Sequence, residues 1–151
     1  TPEIELRTLE TNGTGFVRMV TAAFRYFAQQ KGGHLAVISS IAGTKGLGAA
    51  PAYSATKRFQ NTYIDALEQL AHIQKLSIRF TDIRPGFVAT GLLNDGKHYP
   101  MLMHTEKVAR HTVRALEKKK RIVVIDWRYR ILVALWRLIP PFLWKRMTVR
   151  N

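Results

Sequence analysis

Apolar residues recur every three or four positions along three long stretches of the chain, which is the spacing of amphipathic helices. The predicted helices cover residues 3–30, 52–74 and 105–118. Three shorter stretches are rich in apolar and β-branched residues and are typical of strands. The predicted strands cover residues 34–40, 76–83 and 121–125. Strands that alternate with long helices predict an α/β fold whose sheet is parallel and built from βαβ units.

The connections after the first two predicted strands contain glycine and proline and carry the polar residues of interest. They cover residues 41–51 and 84–104. The run 34–40 is continuously apolar before its two serines, so we expect a strand covered on both faces. Because ligands of such sheets bind outside the carboxyl ends of the strands, we expect the functional site at these two connections. Thr105, with Glu106 in the first turn, is the predicted cap of the next helix.

Positive charge is concentrated at the C-terminal end of the chain. The formal net charge is +14, and all three tryptophans lie beyond residue 126. We therefore divide the chain into a body, residues 1–126, and a basic aromatic helical segment, residues 127–151. This segment either lies on a membrane surface, with its cations on anionic lipid, or packs on its own sheet or on a second subunit. No nucleic-acid-binding signature accompanies the charge, so a nucleic-acid partner is not expected.

Several classes of protein are excluded or disfavoured by composition. The chain contains no cysteine, which excludes disulfide scaffolds and thiolate chemistry. Its five histidines show no ligand spacing with carboxylates, so no metal site is expected. No apolar run is long enough to span a bilayer, and no signal-peptide pattern opens the chain. We therefore expect a cytoplasmic protein with, at most, a peripheral membrane contact.

The residues that indicate a catalytic function are a tyrosine, a lysine and a serine. Tyr53 and Lys57 are four residues apart, a spacing that places both side chains on one face of the predicted helix. A phenol has a reference pKa of about 10, and a nearby ammonium favours the phenolate, so such a pair can exchange a proton with an alcohol or carbonyl oxygen. Ser40 lies at the end of the preceding strand and can hydrogen-bond that oxygen. Its neighbour Ser39 is expected to be structural, since adjacent strand residues face opposite ways.

Four segments together resemble the short-chain dehydrogenase/reductase family over the chain from Asn12 to about Ile125. They are Asn12-Gly13, Ile-Ser-Ser-Ile-Ala-Gly at 38–43, Tyr-Ser-Ala-Thr-Lys at 53–57 and Arg-Pro-Gly-Phe-Val-Ala-Thr at 84–90. The resemblance implies part of a doubly wound Rossmann-type sheet. It also implies an oxidoreductase that interconverts an alcohol and a carbonyl with NAD or NADP.

The resemblance implies a role for each matching residue. Tyr53 would be the general acid/base, and Lys57 would favour its phenolate and hold the nicotinamide ribose. Ser40 would orient the substrate oxygen. Asn12 would distort its helix and seat a water in a proton relay through Lys57. The cofactor would also be bound by Tyr53 and by Pro85, Gly86, Val88 and Thr90.

One part of the family pattern is missing. The glycine-rich dinucleotide-binding loop on the family's first strand does not occur, so the chain resembles the C-terminal catalytic half of a longer enzyme. The isolated chain is therefore expected to be inactive. Two alternatives remain open: a non-catalytic scaffold with this fold, and a membrane-surface module that uses the basic segment.

The resemblance also implies assembly of identical chains. The two long helices resemble the pair that forms a four-helix interface in this family, so we expect a homodimer or a homotetramer. The residues offered for that interface are Phe24, Phe59, Tyr63 and Leu67.

Overall fold

The computed structural model describes residues 1–93 and 99–149, so part of the predicted loop 84–104 and the last two residues of the basic segment lie outside the described residues. Three strands within the described residues form one parallel sheet in the order β1-β2-β3. The strands are β1 (Gly32–Ile38), β2 (Ser77–Arg84) and β3 (Ile122–Val124). The helices are α1 (Pro2–Leu9), α2 (Phe16–Gln29), α3 (Pro51–Ile73), α4 (Thr105–Glu117), α5 (Trp127–Leu138) and α6 (Pro141–Trp144). The predicted α/β fold with a parallel sheet is confirmed.

The predicted helix over residues 3–30 is interrupted. A π-helical segment, Glu10–Gly15, joins α1 to α2 without a loop. Gly13 is buried in this segment, where an added Cβ would lie 3.4 Å from Leu9 Cδ1. Such π-helical turns widen the helix by one residue and frequently occur at functional sites.

Two apolar clusters hold the helices on the sheet. The first joins α2 and α3 to β1 and β2, and its buried members are Val20, Phe24, Leu35, Val37, Ile64, Leu67, Ala71, Ile78 and Phe80. The second joins α4 and α5 to β2 and β3, and its buried members are Ile41, Ile83, Met103, Ala115, Val123, Ile125, Tyr129 and Val133. Both clusters include residues of β2, which is the central strand of the three.

Strand β1 differs from the prediction of a strand covered on both faces. Leu35 and Val37 are buried, whereas Ala36 and Ile38 are exposed. The reason is that α2 and α3 cover one face of β1, and β1 pairs with β2 alone among the described residues. The strand also ends at Ile38, two residues before Ser40.

The C-terminal segment packs on the body with one face of α5. Tyr129 and Val133 are buried in the second cluster, while Leu138 on the opposite face is exposed. Asp126 is the N-cap of α5 and accepts a hydrogen bond from the Arg128 N–H. Thr105 is not the cap of α4, because it is the first helical residue and His104 occupies the cap position.

Candidate active site

A cavity of about 910 Å³ opens at the carboxyl ends of β1 and β2. Every residue that the sequence nominated for catalysis or cofactor binding lines this one cavity. These residues are Asn12, Ser40, Tyr53, Lys57, Pro85, Gly86, Val88 and Thr90. They come from the π-helical segment, the first turns of α3 and the connections that follow β1 and β2, so the residues predicted for the site lie around one cavity.

Tyr53 and Lys57 share one face of α3, as their spacing predicted. The Lys57 ammonium lies 5.6 Å from the centre of the Tyr53 ring. It donates hydrogen bonds to the Ile38 carbonyl at 3.3 Å and to Gln60 Oε1 at 3.2 Å. Burial lowers the pKa of Lys57 because it removes water from the ammonium, and the charge of Asp82 opposes this effect.

Gly43 allows the connection after β1 to lie against α3. A Cβ at Gly43 would lie 2.9 Å from the Lys57 carbonyl carbon and oxygen and 2.7 Å from Asn61 Oδ1. The short 3₁₀ helix Ile41–Thr44 thus approaches the backbone of Lys57 more closely than any side chain permits. This contact fixes the distance between the end of β1 and the lysine.

The two adjacent serines have different surroundings. Ser40 Oγ accepts a hydrogen bond from the Ala42 N–H at 3.1 Å and lies 3.4 Å from the Pro85 carbonyl, to which it donates. Ser39 donates to the Asp82 carboxylate and accepts from Asn61 Nδ2 at 2.9 Å. Both serines line the cavity, but Ser39 is also part of a buried polar network, whereas the hydrogen bonds of Ser40 are to backbone groups after β1 and β2.

That network contains a buried ion pair which the sequence did not indicate. Asp82 Oδ2 accepts hydrogen bonds from Arg84 Nη2 at 2.6 Å and from Asn61 Nδ2 at 2.8 Å. Asp82 and Arg84 are both buried. Alternate residues of a strand share one face, so this pair lies along β2, and it links β2 to α3 through Asn61.

Asn12 lies within the π-helical segment, where the resemblance implied a distorted helix. Its Nδ2 donates to Thr56 Oγ1 at 3.4 Å. Its backbone carbonyl accepts a hydrogen bond from Gln60 Nε2 at 2.9 Å. The connection from Asn12 to Lys57 thus runs through the side chain of Gln60, a residue that the sequence analysis did not nominate.

The opposite side of the cavity is organised around Tyr129. Its hydroxyl accepts a hydrogen bond from the Phe87 N–H at 3.1 Å and lies 3.0 Å from the Pro100 carbonyl. An added Cβ at Gly86 would lie 2.2 Å from the Tyr129 ring. Burial raises the pKa of the Tyr129 phenol, which keeps it protonated as a hydrogen-bond donor.

The C-terminal segment completes the wall of the cavity, with Leu132, Trp136 and Val149 among its lining residues. Lys45 Nζ donates to the Ile139 carbonyl at 2.8 Å, and Trp144 Nε1 donates to the Gly46 carbonyl at 2.8 Å. These contacts join residues more than ninety positions apart. No local pattern in the sequence indicates them.

Residues 1–93 and 99–149 contain no group of three or more histidine, aspartate and glutamate side chains placed to hold a metal ion. Nor does any helix there have the length and apolar character needed to cross a membrane.

Comparison with known sequences places the chain in a family. The sequence model of the family described as short chain dehydrogenase matches residues 3–99. Dehydrogenase/reductase SDR family member 7B of Bos taurus is 32% identical over 158 residues, which cover 97% of this chain and 48% of that protein. An uncharacterized oxidoreductase of Myxococcus xanthus is 29% identical over 133 residues, covering 87% of this chain and 52% of that protein. The chain therefore belongs to the short-chain dehydrogenase family, as its motifs implied, and spans about half the length of the curated relatives it matches.

Solved structures show the same fold. A short-chain dehydrogenase from Burkholderia cenocepacia in complex with NADP has a TM-score of 0.80 and 18% identity, with 99% of this chain and 61% of that chain covered. A short-chain dehydrogenase from Sphingobium yanoikuyae in complex with NADPH has a TM-score of 0.74 and 19% identity, with 93% and 59% covered. The alignment of nearly the whole chain confirms that its strands belong to a Rossmann-type sheet, which its helices flank.

Proposed function

We propose that this chain carries the catalytic half of an NAD(P)-dependent oxidoreductase that interconverts an alcohol and a carbonyl. The observation that carries the proposal is the convergence of Asn12, Ser40, Tyr53 and Lys57 on one cavity. Membership of the short-chain dehydrogenase family supports an oxidoreductase. A scaffold that had lost its reaction would have no need of all four side chains.

Each catalytic side chain has a role that its surroundings support. Tyr53 exchanges a proton with the substrate oxygen as general acid in reduction and general base in oxidation. The Lys57 ammonium, 5.6 Å from the tyrosine ring, favours negative charge on the phenol oxygen. Ser40 is held at the cavity border by the Ala42 N–H, and its hydroxyl orients the substrate oxygen.

The residues that line the cavity fit a nicotinamide cofactor at its reactive end. Lys57 offers an ammonium to ribose hydroxyls, and the segment containing Pro85, Gly86, Val88 and Thr90 offers backbone groups and a hydroxyl along the same side. When bound, NAD(P) supplies the hydride donor or acceptor, and the protein supplies binding, orientation and proton transfer. The two structural neighbours bound to NADP and NADPH share this fold, which favours the assignment.

The lining of the cavity favours a mainly apolar substrate. Its volume of about 910 Å³ would hold the nicotinamide end of the cofactor as well as the substrate, so the side chains and not the volume indicate the substrate class. Side chains that face it include Phe87, Met101, Leu132 and Trp136. We therefore propose ketones with large apolar substituents, or the corresponding secondary alcohols, as the substrate class.

The test is carried out on the complete native protein with NADPH and NADH. Aromatic and alicyclic ketones are compared with acetone, and cofactor oxidation is followed by absorbance. Wild type should reduce the bulky ketones preferentially. Lys57→Met should weaken cofactor binding and slow turnover, whereas Lys118→Met, an exposed lysine at the end of α4, should change neither. Cofactor binding that is indifferent to Lys57→Met would contradict the proposed site.

We further propose that the 151-residue chain tested alone does not bind nicotinamide cofactor measurably. Strand β1 pairs with β2 on one side, and its exposed edge is where a further strand of the family's sheet would pair. The pyrophosphate-binding helix N-terminus of the family lies in the segment that this chain lacks. Calorimetry that showed micromolar NADPH binding to residues 1–151 would contradict this proposal.

Assembly into a homodimer or homotetramer remains part of the proposal, with a corrected surface. Phe24 and Leu67 are buried in the core and cannot contact a second chain. Of the other two residues offered for the interface, Phe59 is exposed and Tyr63 is partly buried. Helices α2 and α3 also expose Met19, Tyr26, Leu70 and Ile73. Light scattering on the complete protein should give a dimer or tetramer, and a monomer at micromolar concentration would contradict this.

For the basic segment we propose a peripheral contact with an anionic membrane. The face of α5 that points away from the body exposes Trp127, Ile131, Leu135 and Leu138. The exposed cations Arg130 and Arg137 flank that face, and no acidic residue occurs from Trp127 to Val149. An apolar strip bordered by cations suits a surface of anionic lipid, where each cation contributes about 1 kcal/mol.

Vesicle sedimentation tests the membrane contact. The complete protein should bind vesicles of phosphatidylcholine with phosphatidylserine, and not phosphatidylcholine alone. Leu138→Glu should abolish binding, because Leu138 is 78% exposed on that face. Val113→Glu places the same charge on α4, at a residue 53% exposed, and should leave binding intact. An equal loss of vesicle binding in both variants would contradict binding through the exposed face of α5.

A further inference from the structure

Gln60 lies one helical turn beyond Lys57, on the buried face of α3. Its residue exposure is 3%, so its carboxamide must find partners within the protein. Gln60 Oε1 accepts from Lys57 Nζ at 3.2 Å, and Gln60 Nε2 donates to the Asn12 carbonyl at 2.9 Å. One side chain thus joins α3 to the π-helical segment at the lysine.

We propose that Gln60 is a positioning residue that fixes the Lys57 ammonium by bridging it directly to the backbone carbonyl of Asn12. This inference rests on the proposed role of Lys57 in the active site. The family resemblance implies a water between Asn12 and Lys57, whereas here a carboxamide makes that connection.

The orientation of the amide is determined by its partners. An ammonium can only donate, so the atom facing Lys57 must be the carboxamide oxygen. A backbone carbonyl can only accept, so the atom facing Asn12 must be the nitrogen. The bridge therefore has a fixed polarity, and no rotation of the amide preserves both hydrogen bonds.

The Gln60 carboxamide and a bridging water differ in whether they can transfer a proton. A water can accept and donate through the same oxygen and can pass a proton along a chain. The carboxamide accepts with one atom and donates with another, so it holds Lys57 in place without relaying a proton to Asn12. Gln60 consequently acts on Tyr53 only through the position and charge of Lys57.

The charged and titratable groups around the lysine are few and identifiable. Tyr53 faces the ammonium from the same helix at 5.6 Å, and Asp82 acts on it from β2. Among the described residues, Lys57 also donates to the neutral Ile38 carbonyl of β1, and Asp82 is itself paired with Arg84. A substitution of Gln60 should therefore change the pKa of Lys57.

The experiment measures the titration of Lys57 in the unliganded complete protein by ¹³C NMR of the lysine Cε, assigned with Lys57→Met. Gln60→Met has similar length and removes both hydrogen bonds, so the pKa of Lys57 should fall. Gln60→Glu places a carboxylate beside the ammonium, so the pKa should rise, by on the order of one unit. The limb of the kcat/KM profile that reports deprotonation of Lys57 should move in the same two directions.

The matched control is Gln69→Met, which makes the same substitution on the exposed face of α3 and should change neither the titration nor the pH profile. If Gln60→Met does not fold, the upward shift in Gln60→Glu still decides the question. Folded variants whose Lys57 titrates as in wild type would overturn the proposal. Because the titration needs no turnover, failure here is distinguishable from failure of the proposed oxidoreductase activity.

Discussion

The two sides of the cavity are built in different ways. The side that holds Ser40, Tyr53 and Lys57 is formed by a strand end, the start of a long helix and the π-helical segment, and hydrogen bonds such as Gln60 to Asn12 fix it. The other side consists of the connection after β2 and the C-terminal segment, and apolar side chains such as Trp136 dominate it.

This difference separates two tasks. Proton transfer requires groups held to within a fraction of an ångström, which regular elements and buried hydrogen bonds provide. Selection of the substrate requires shape, which loops and a packed terminal segment can vary without disturbing the catalytic groups. Under the proposed function, substitutions on the first side should change rate, and those on the second should change stability, cofactor binding or substrate preference.

The sharpest comparison on the polar side is between the two adjacent serines. Ser40→Ala removes the hydroxyl proposed to orient the substrate oxygen, so turnover should fall by about 10²-fold, in line with loss of one such donor, and stability should fall less than in Ser39→Ala. Ser39→Ala breaks hydrogen bonds to Asp82 and Asn61, so it should lower the free energy of unfolding and leave the chemical step intact. Rapid-kinetic and denaturation measurements on both variants check this. A reversal of the two effects would show that the wrong serine was assigned.

On the apolar side, the contact of Gly86 with Tyr129 should be the most sensitive point. Gly86→Ala places a methyl group 2.2 Å from a buried ring, and the overpacking should lower the free energy of unfolding by about 3 kcal/mol. Gly91→Ala is the matched control, because nothing lies within 4 Å of its added Cβ. Urea denaturation of the complete protein measures both, and equal stability of the two variants would contradict the packing described.

Asp126 links the C-terminal segment to the body and should make its attachment sensitive to acid. Hydrogen bonds from Arg128 and Lys107 hold the pKa of this buried carboxyl well below its usual range. A lowered folded-state pKa contributes stability that is present above the ordinary value near 4 and is lost as the pH falls. Asp126→Asn should lower stability at pH 7 by about 1–3 kcal/mol and remove part of the acid dependence. Asp65→Asn, at an exposed aspartate, should change the stability and its acid dependence much less. Thermal unfolding of the two variants from pH 3 to 7 measures the difference.

The smallest effect is expected where the C-terminal segment lines the cavity. Leu132→Ala enlarges the pocket, so KM for a bulky ketone should rise by about tenfold while kcat changes little, since a few methylenes are worth 1–3 kcal/mol. Leu135→Ala, on the exposed face of the same helix, should leave both constants unchanged. A fall in kcat without a change in KM would indicate that Leu132 supports Ser40, Tyr53 and Lys57 and does not select the substrate.

The sequence predicted those parts of the molecule that depend on local patterns. The strands and helices follow from apolar spacing, and Ser40, Tyr53 and Lys57 were nominated by their motif and lie at one cavity. The role of Gln60 could not be predicted, because it depends on a hydrogen bond to the Asn12 carbonyl, 48 residues away in the π-helical segment. Contacts such as Trp144 with Gly46 join residues too distant for any spacing to indicate. The alternate burial of β1 was likewise missed, since an apolar run does not show which of its faces will be covered.

The central claim is that Tyr53 exchanges the proton, and one comparison of two tyrosines on α3 tests it. Tyr53 faces the cavity, whereas Tyr63 packs edge-on against Phe16, with ring centres 5.9 Å apart. Single-turnover oxidation of NADPH by a bulky ketone is measured in the complete protein for wild type, Tyr53→Phe and Tyr63→Phe. Tyr53→Phe should be at least about 10²-fold slower with nearly unchanged affinity for NADPH, and Tyr63→Phe should match wild type. A Tyr53→Phe protein that reduces the ketone at the wild-type rate would contradict the account.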